Sequence, residues 1–160
     1  MKVIVLLTFF LLNLYAHPHF FVDAYIDIQK DKISHKWVFD RLNSRLLTFD
    51  FDKDKNKHFE KTEQISFIEK HIEKLKSDNY NLFMDLDSNE LVADPINIKV
   101  EIVNKRVEVS FDLLFKINEG GTICTIDPTL YFAYKLKDIK SAFEYEKQVS
   151  EHDYCIGVTK

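Results

Sequence analysis

The sequence predicts a mainly β protein, an antiparallel β-sandwich with an inserted helix-loop-helix hairpin. Apolar and polar residues alternate in about eight short segments, which is the pattern of strands with one buried face. From about residue 40 to about residue 78 the apolar residues recur instead at helical spacing. Strands on both sides of one helical segment favour a sandwich in which the helices are an insertion.

The first two predicted strands form an antiparallel hairpin. Apolar residues occupy every second position from Val22 to Ile28, and the polar residues 29–32 then provide a turn. The second strand runs from Ile33 to Phe39, and His35 and Trp37 share a face with both of its ends.

Two helices are predicted after this hairpin. Asp40 is a suitable N-cap for the first helix, in which Leu42, Leu46 and Phe49 recur at helical spacing. An apolar stripe defines the second helix, and its members are Ile65, Ile68, Ile72 and Leu75.

Alternation returns after Asn81 and continues to the C-terminus. Turns are predicted at residues 87–89, at Asn104 and Lys105, and at Gly120 and Gly121. The segments between them read as short strands, near residues 82–86, 91–92, 96–102, 107–115, 123–127, 130–136, 143–149 and 154–158.

Residues 1–16 have the pattern of a secretory signal peptide. Lys2 is followed by a nearly unbroken apolar run from Val3 to Leu12, and Ala16 is a small residue at the expected cut. The sequence therefore predicts a periplasmic protein in which residues 17–160 form a single domain. The formal net charge of −4 argues against nucleic acid as a partner.

The two cysteines, Cys124 and Cys155, are both late in the chain. In an exported protein an isolated pair is most simply one disulfide. The alternative is a reduced pair that acts as soft metal ligands.

A polar stretch between the predicted helices has the spacing of an EF-hand calcium loop. Its ligands would fall at positions one, three, five, seven, nine and twelve. Lys57 stands at position six, where glycine normally allows a positive φ, so we expect weakened affinity. The alternative is a solvated charged loop. The predicted ligands are Asp52, Asp54, Asn56, the backbone carbonyl of His58, Glu60 and Glu63.

His17 and His19 predict a second, different metal site. If the leader is cut after Ala16, the α-amine and the ring Nδ1 of His17 can chelate one ion. Pro18 has no N–H, so a square-planar site that needs the amide nitrogen of the second residue is excluded. The amine-plus-ring brace remains, and its nitrogen ligands favour copper, nickel or zinc over calcium.

Third and fourth ligands of this site must come from elsewhere in the chain. The candidates, in order of chemical plausibility, are His35, His152 and Asp127. His35 equally fits a core histidine, because it shares a face with Trp37. His152 equally fits a surface residue in a charged turn. His71 lies among charged residues and is expected to be solvated.

Motifs for catalysis are not found in the sequence. There is no nucleophile elbow, no helical H-E-x-x-H and no phosphate-binding glycine loop. We therefore expect a protein that is not an enzyme. The lesser alternative is a copper-dependent oxidoreductase that uses the N-terminal histidine brace.

Several segments occur in an order that resembles one known family. They are residues 17–23 (HPHFFVD), residues 37–40 (WVFD), the acidic loop 52–63 before a helix, and residues 127–132 (DPTLYF). The chain resembles the family called domain of unknown function 1007, exported bacterial proteins often described as periplasmic components of ABC-type transport systems. The resemblance implies transition-metal handling and suggests that Asp127 approaches the N-terminal site. Lys57 departs from the glycine common in the family.

The function expected from these observations is that of a periplasmic metal-binding accessory protein. It would bind copper, zinc or nickel through His17 and His19, with Asp127 or His35 completing the site, and serve an inner-membrane metal transporter. The alternative is a calcium-binding interaction module that uses loop 52–63.

Overall fold

Ten β-strands in two five-stranded sheets form the framework of the computed structural model, which describes residues 19–160. The mainly β prediction is confirmed. The overall count of about eight strands is too low, whereas the ten segments named one by one each overlap one observed strand. The predicted signal peptide and His17 lie outside the described residues. The strands are β1 Phe20–Ile28, β2 Ile33–Phe39, β3 Leu82–Leu86, β4 Asn89–Leu91, β5 Ile96–Val103, β6 Arg106–Leu113, β7 Gly120–Thr125, β8 Phe132–Ser141, β9 Glu144–Val149 and β10 Tyr154–Thr159.

The first sheet has the strand order β5-β6-β2-β1-β8 and is mixed. β1 and β2 form the predicted hairpin, with Ile28 opposite Ile33. β8, however, runs parallel to β1 and starts with Phe132 beside Phe20. The prediction of a wholly antiparallel fold is therefore wrong for this sheet, because alternation reports which face is buried and carries no information on strand direction.

The second sheet has the order β4-β3-β7-β10-β9 and is antiparallel throughout. Cys124 of β7 lies opposite Cys155 of β10, and the two are joined by a disulfide. The bridge leaves neither sulfur free as a metal ligand.

Helix α1 (Arg41–Phe51) follows β2 directly, and its N-cap is Asp40 as predicted. Oδ1 of Asp40 accepts hydrogen bonds from the backbone N–H groups of Leu42 at 2.8 Å and Asn43 at 3.0 Å. Ser44 anchors the helix to the first sheet: its hydroxyl donates to the Phe39 carbonyl and accepts from the backbone N–H of Val107.

The core-facing side of α1 is formed by Ser44, Leu47 and Phe51. The three residues whose spacing predicted this helix lie on another side and are exposed. The exposed fraction is 69 % for Leu42, 56 % for Leu46 and 80 % for Phe49. The helix was therefore predicted correctly from residues that do not pack in the core.

The second predicted helix is not continuous. Helix α2 (Lys61–Phe67) passes into a π-helical turn (Ile68–Ile72) and then a 3₁₀ segment (Glu73–Asn81). Asn79 and Tyr80 have φ of 52° and 56°, so the helical path ends before β3 begins.

One hydrophobic core joins the inner faces of both sheets and the helical segment. Trp37, Tyr134 and Tyr154 are among its largest fully buried side chains. Within residues 19–160, no helix combines the length and the apolar character needed to cross a bilayer.

Candidate functional site

The loop between α1 and α2 brings acidic side chains together. Asp52 ends α1, and Glu63 lies in the first turn of α2. Ligand oxygens of Asp52, Asp54 and Glu63 all lie within 4.8 Å of one another. Within residues 19–160, this is the only such group of three or more histidine, cysteine or acidic side chains.

Two of these carboxylates are almost removed from solvent. Asp52 is 5 % exposed and Glu63 is 8 % exposed, whereas Asp54 is on the surface. Burying an ionised carboxylate is costly unless hydrogen bonds or a cation compensate for the lost water. The environment of both groups therefore decides whether the loop is stable.

Backbone N–H groups of the loop supply part of this compensation. The two oxygens of Asp52 accept from Asn56 at 3.1 Å and from Lys57 at 2.9 Å. The two oxygens of Glu63 accept from Lys53 at 2.6 Å and from Glu60 at 3.0 Å. The chain is thus wrapped around its own carboxylates, and each oxygen keeps a lone pair for a further partner.

The remaining predicted calcium ligands lie in the same loop. The side-chain oxygen of Asn56 accepts from the backbone N–H of His58 at 2.7 Å. Glu60 is the N-cap of α2 and forms a capping box with Glu63. Its carboxylate does not belong to the close group of Asp52, Asp54 and Glu63. The His58 side chain is exposed.

Phe59 and Lys57 fix the shape of the loop. The Phe59 side chain is fully buried and packs against Phe67 of α2, with 6.1 Å between ring centroids. Lys57 has a φ of 65°, which is the left-handed conformation expected at the sixth position. A lysine is strained there, because its Cβ crowds the following carbonyl.

The first described residue, His19, lies against the loop that precedes β8. Its backbone N–H donates to the Tyr131 carbonyl at 2.9 Å, and its ring lies 4.9 Å from the Tyr131 ring. His17, the other predicted ligand, lies outside the described residues.

Asp127 belongs to the same loop and is 5 % exposed. Oδ1 accepts from the backbone N–H and the hydroxyl of Thr129, and Oδ2 accepts from the backbone N–H of Phe132 at 2.8 Å. Asp127 therefore shapes the turn that sets β8 beside β1. It also lines a cleft of about 320 Å³ together with His71 and Tyr131.

His71 was expected to be solvated, and this expectation is wrong. The side chain is half-buried and its ring lies 5.1 Å from that of Phe67 and 5.6 Å from that of Phe20. The pKa of His71 is lowered to about 4, chiefly by burial. The positive charges of Lys70 and Lys74 also lower this pKa, and the negative charge of Asp50 partly opposes them. The spacing of four residues from Phe67 to His71 to Leu75 could have indicated this position.

His35 is placed elsewhere. It lies opposite Ile26, six residues along β1 from Phe20 and so roughly 20 Å from the start of that strand. The ring stacks on Phe111 with both nitrogens buried and without a hydrogen-bond partner in the described chain. Burial lowers its pKa to about 3. The structure does not bring His35 to His19, the one described member of the predicted N-terminal pair.

His152 lies between β9 and β10, where its backbone carbonyl accepts from the N–H of Tyr134 at 2.8 Å. Its ring belongs to no group of three or more close metal-ligating side chains among residues 19–160.

A protein-family model matches residues 2–157, nearly the whole chain, and its description is "Protein of unknown function (DUF1007)". No curated protein and no solved structure matches the sequence. These comparisons assign no ligand and no activity to the chain.

Proposed function

Because this chain belongs to the DUF1007 family, whose function is unknown, we propose from the geometry of loop 52–63 that it binds one Ca²⁺ ion there. The observation that carries the proposal is the approach of Asp52, Asp54 and Glu63 to within 4.8 Å of one another. They come from positions one, three and twelve of a loop with EF-hand spacing.

The chemistry of these donors suits a hard cation. Calcium takes six to eight oxygens, and carboxylate, amide and backbone carbonyl oxygens are all present in this loop. Three carboxylates held together repel one another, and a divalent cation would offset that repulsion. A bound ion would also fix α1 relative to α2, which fits a calcium-dependent interaction module.

The proposal predicts a calcium-dependent rise in melting temperature and a measurable binding heat by titration calorimetry. Glu63→Gln is expected to weaken binding at least tenfold, since a bidentate ligand is lost. Asp54→Asn is the cleaner variant, because Asp54 is exposed and its carboxylate accepts hydrogen bonds only from Asn56 of the same loop. Glu146→Gln, an exposed carboxylate on β9, is the matched control and should bind as the unmutated chain does. No calcium response in the unmutated chain would remove the proposal.

A second candidate function is transition-metal binding at the N-terminus, which we propose for an exported form that begins at His17. It is supported by the position of His19 beside a cleft that contains His71 and Asp127. In this proposal His71 replaces His35 as the additional imidazole. The protein would then serve as a periplasmic accessory to copper, zinc or nickel transport.

Metal affinity of two forms of the chain tests this second proposal. A form that begins at His17 is compared with one that carries a single additional residue, which removes the α-amine from the chelate. The extended form should bind copper or zinc far more weakly. Equal affinity would exclude the brace, and an unchanged affinity in His71→Gln would exclude that ring as a ligand.

A further inference from the structure

A basic groove of about 640 Å³ lies between α1 and the turn that joins β5 to β6. We use "basic groove" for the cavity whose polar lining is Arg41, Arg45, Thr48, Lys57, Asn104 and Lys105. No carboxylate lines it. In a chain whose formal net charge is −4, four cationic side chains around one cavity form a local field of the opposite sign.

None of the four cations is neutralised by a carboxylate of the described chain. The salt bridges found in residues 19–160 involve Lys32, Lys99, Arg106 and Lys137. Arg106 follows Lys105 directly, yet its guanidinium is committed to Asp23 and to two carbonyls of β2. The groove therefore keeps its charge available for an anionic ligand.

An apolar stripe adjoins the basic groove on α1. Arg41 and Arg45 occupy positions i and i+4, and the stripe, formed by Leu42, Leu46 and Phe49, is displaced by one residue, or about 100° around the helix. It points away from Ser44, Leu47 and Phe51, which face the core. Basic side chains on the flank of an exposed apolar stripe are the arrangement of helices that lie in a membrane interface.

We propose that α1 and the basic groove bind the surface of an anionic phospholipid membrane. Lipid phosphates would enter the basic groove, where the two guanidiniums can form paired hydrogen bonds with phosphate oxygens. The apolar stripe would insert into the boundary between headgroups and acyl chains. A soluble phosphate ester would satisfy the groove and would leave the stripe in water, so the membrane accounts for both features.

The proposal goes beyond calcium binding and does not depend on it. Lys57 belongs to both regions, since its backbone N–H bonds to Asp52 and its side chain lines the groove. Calcium can also bridge carboxylates to lipid phosphates. Vesicle binding is therefore measured in the presence of a calcium chelator, so that only the basic groove and the apolar stripe contribute.

Vesicle co-sedimentation of the full chain tests the proposal. Vesicles of phosphatidylcholine with phosphatidylglycerol are compared with vesicles of phosphatidylcholine alone, which report the binding that needs no anionic lipid, through the apolar run Val3–Leu12 or through the apolar stripe. Arg45→Gln with Lys105→Gln should lower partitioning onto anionic vesicles roughly tenfold or more. Leu46→Ser with Phe49→Ser should lower it by a similar factor, since apolar area is lost.

Matched controls keep these results interpretable. The double variant Lys135→Gln with Lys147→Gln loses the same amount of charge from exposed positions on β8 and β9. It should bind anionic vesicles as the unmutated chain does. All substituted side chains are on the surface, so unchanged circular dichroism is expected. High salt should weaken binding to anionic vesicles.

Three outcomes would overturn the proposal. The first is equal binding of the unmutated chain and the Arg45/Lys105 variant to anionic vesicles. The second is calorimetric binding of inorganic phosphate without vesicle binding, which assigns the groove to a soluble anion. The third is a dimer that Phe49→Ser dissociates while vesicle binding is absent, which assigns the apolar stripe to a second copy of this chain.

Discussion

The backbone N–H of Lys53 donates a hydrogen bond of 2.6 Å to Oε1 of Glu63, so the second position of the loop is tied to the twelfth. The backbone N–H of Glu60, at the ninth position, donates a hydrogen bond to the other oxygen of the same carboxylate, Oε2. Glu63 therefore closes the loop from both sides, and the carboxylates are held in place by the fold itself. A cation binding there has less chain to order, which favours affinity.

Lys57→Gly is expected to stabilise the protein by about 1 kcal/mol and to strengthen calcium binding. The reason is that Lys57 occupies the left-handed region with a φ of 65°, where glycine has no Cβ to crowd the backbone. Urea unfolding in a chelator measures the first effect, and calorimetry measures the second. Lys53→Gly, at a position without positive φ, is the control and should destabilise the chain. Equal effects of the two substitutions would show that the positive φ of Lys57 does not strain the loop.

The free energy of unfolding should fall as the pH is lowered below about 6. Burial lowers the pKa of His35 from 6.5 to about 3, so between these values the unfolded chain binds a proton that the folded chain does not. The contribution of His35 to the free energy of unfolding is fully present above pH 6.5. On acidification below that value it is lost at up to about 1.4 kcal/mol per pH unit. His71, whose pKa is lowered to about 4, acts in the same direction.

Urea unfolding at pH 7 and pH 5 measures this dependence. His35→Leu removes two buried, unpartnered nitrogens and should make the protein less sensitive to pH over this interval. His71→Leu, measured in parallel, separates the smaller contribution. An undiminished pH dependence in both variants would show that these rings are not responsible.

Removing the disulfide should cost about 3–4 kcal/mol of unfolding free energy. Cys124 and Cys155 are 31 residues apart, and cross-linking a loop of this length restricts the unfolded chain by about that amount. The double variant Cys124→Ala with Cys155→Ala tests this by urea unfolding. Treatment of the unmutated chain with a reductant should shift its midpoint in the same direction, and agreement of the two values would show that side-chain truncation adds little.

Asp127→Asn should lower stability by about 1–3 kcal/mol even in the absence of any metal. Both oxygens of Asp127 accept hydrogen bonds, so an asparagine must direct its NH₂ group at one of the donors, Thr129 or Phe132. Thr129→Ala, which removes only the hydroxyl bond, should cost less. Metal affinity measured on the same variant, where it remains folded, separates the structural contribution of Asp127 from a ligand contribution.

Local features were predictable because they depend on neighbours in sequence. The β1–β2 hairpin follows from alternation on both sides of a polar turn, and the Asp40 cap follows from the residue type. The spacing of the acidic loop likewise indicated which carboxylates approach one another, although Glu60 caps α2 and is not in the close group.

Features that depend on distant parts of the chain were missed. Alternation cannot tell a parallel neighbour from an antiparallel one, so the β1–β8 pairing was not predicted. The sequence of a helix with two apolar sides does not show which side is buried. In α1 the buried side includes Ser44, whose hydroxyl donates one hydrogen bond to Phe39 and accepts one from Val107. The charges around His71 concealed its packing against Phe67.

The position of β1 sets the order in which this protein can complete its folding. β1 is the first strand within residues 19–160, yet it lies inside the first sheet between β2 and β8. During synthesis its second neighbour does not exist until Phe132–Ser141 has been made. Until then one edge of β1 stays open to pairing with another molecule, so a chain truncated before Phe132 is expected to aggregate.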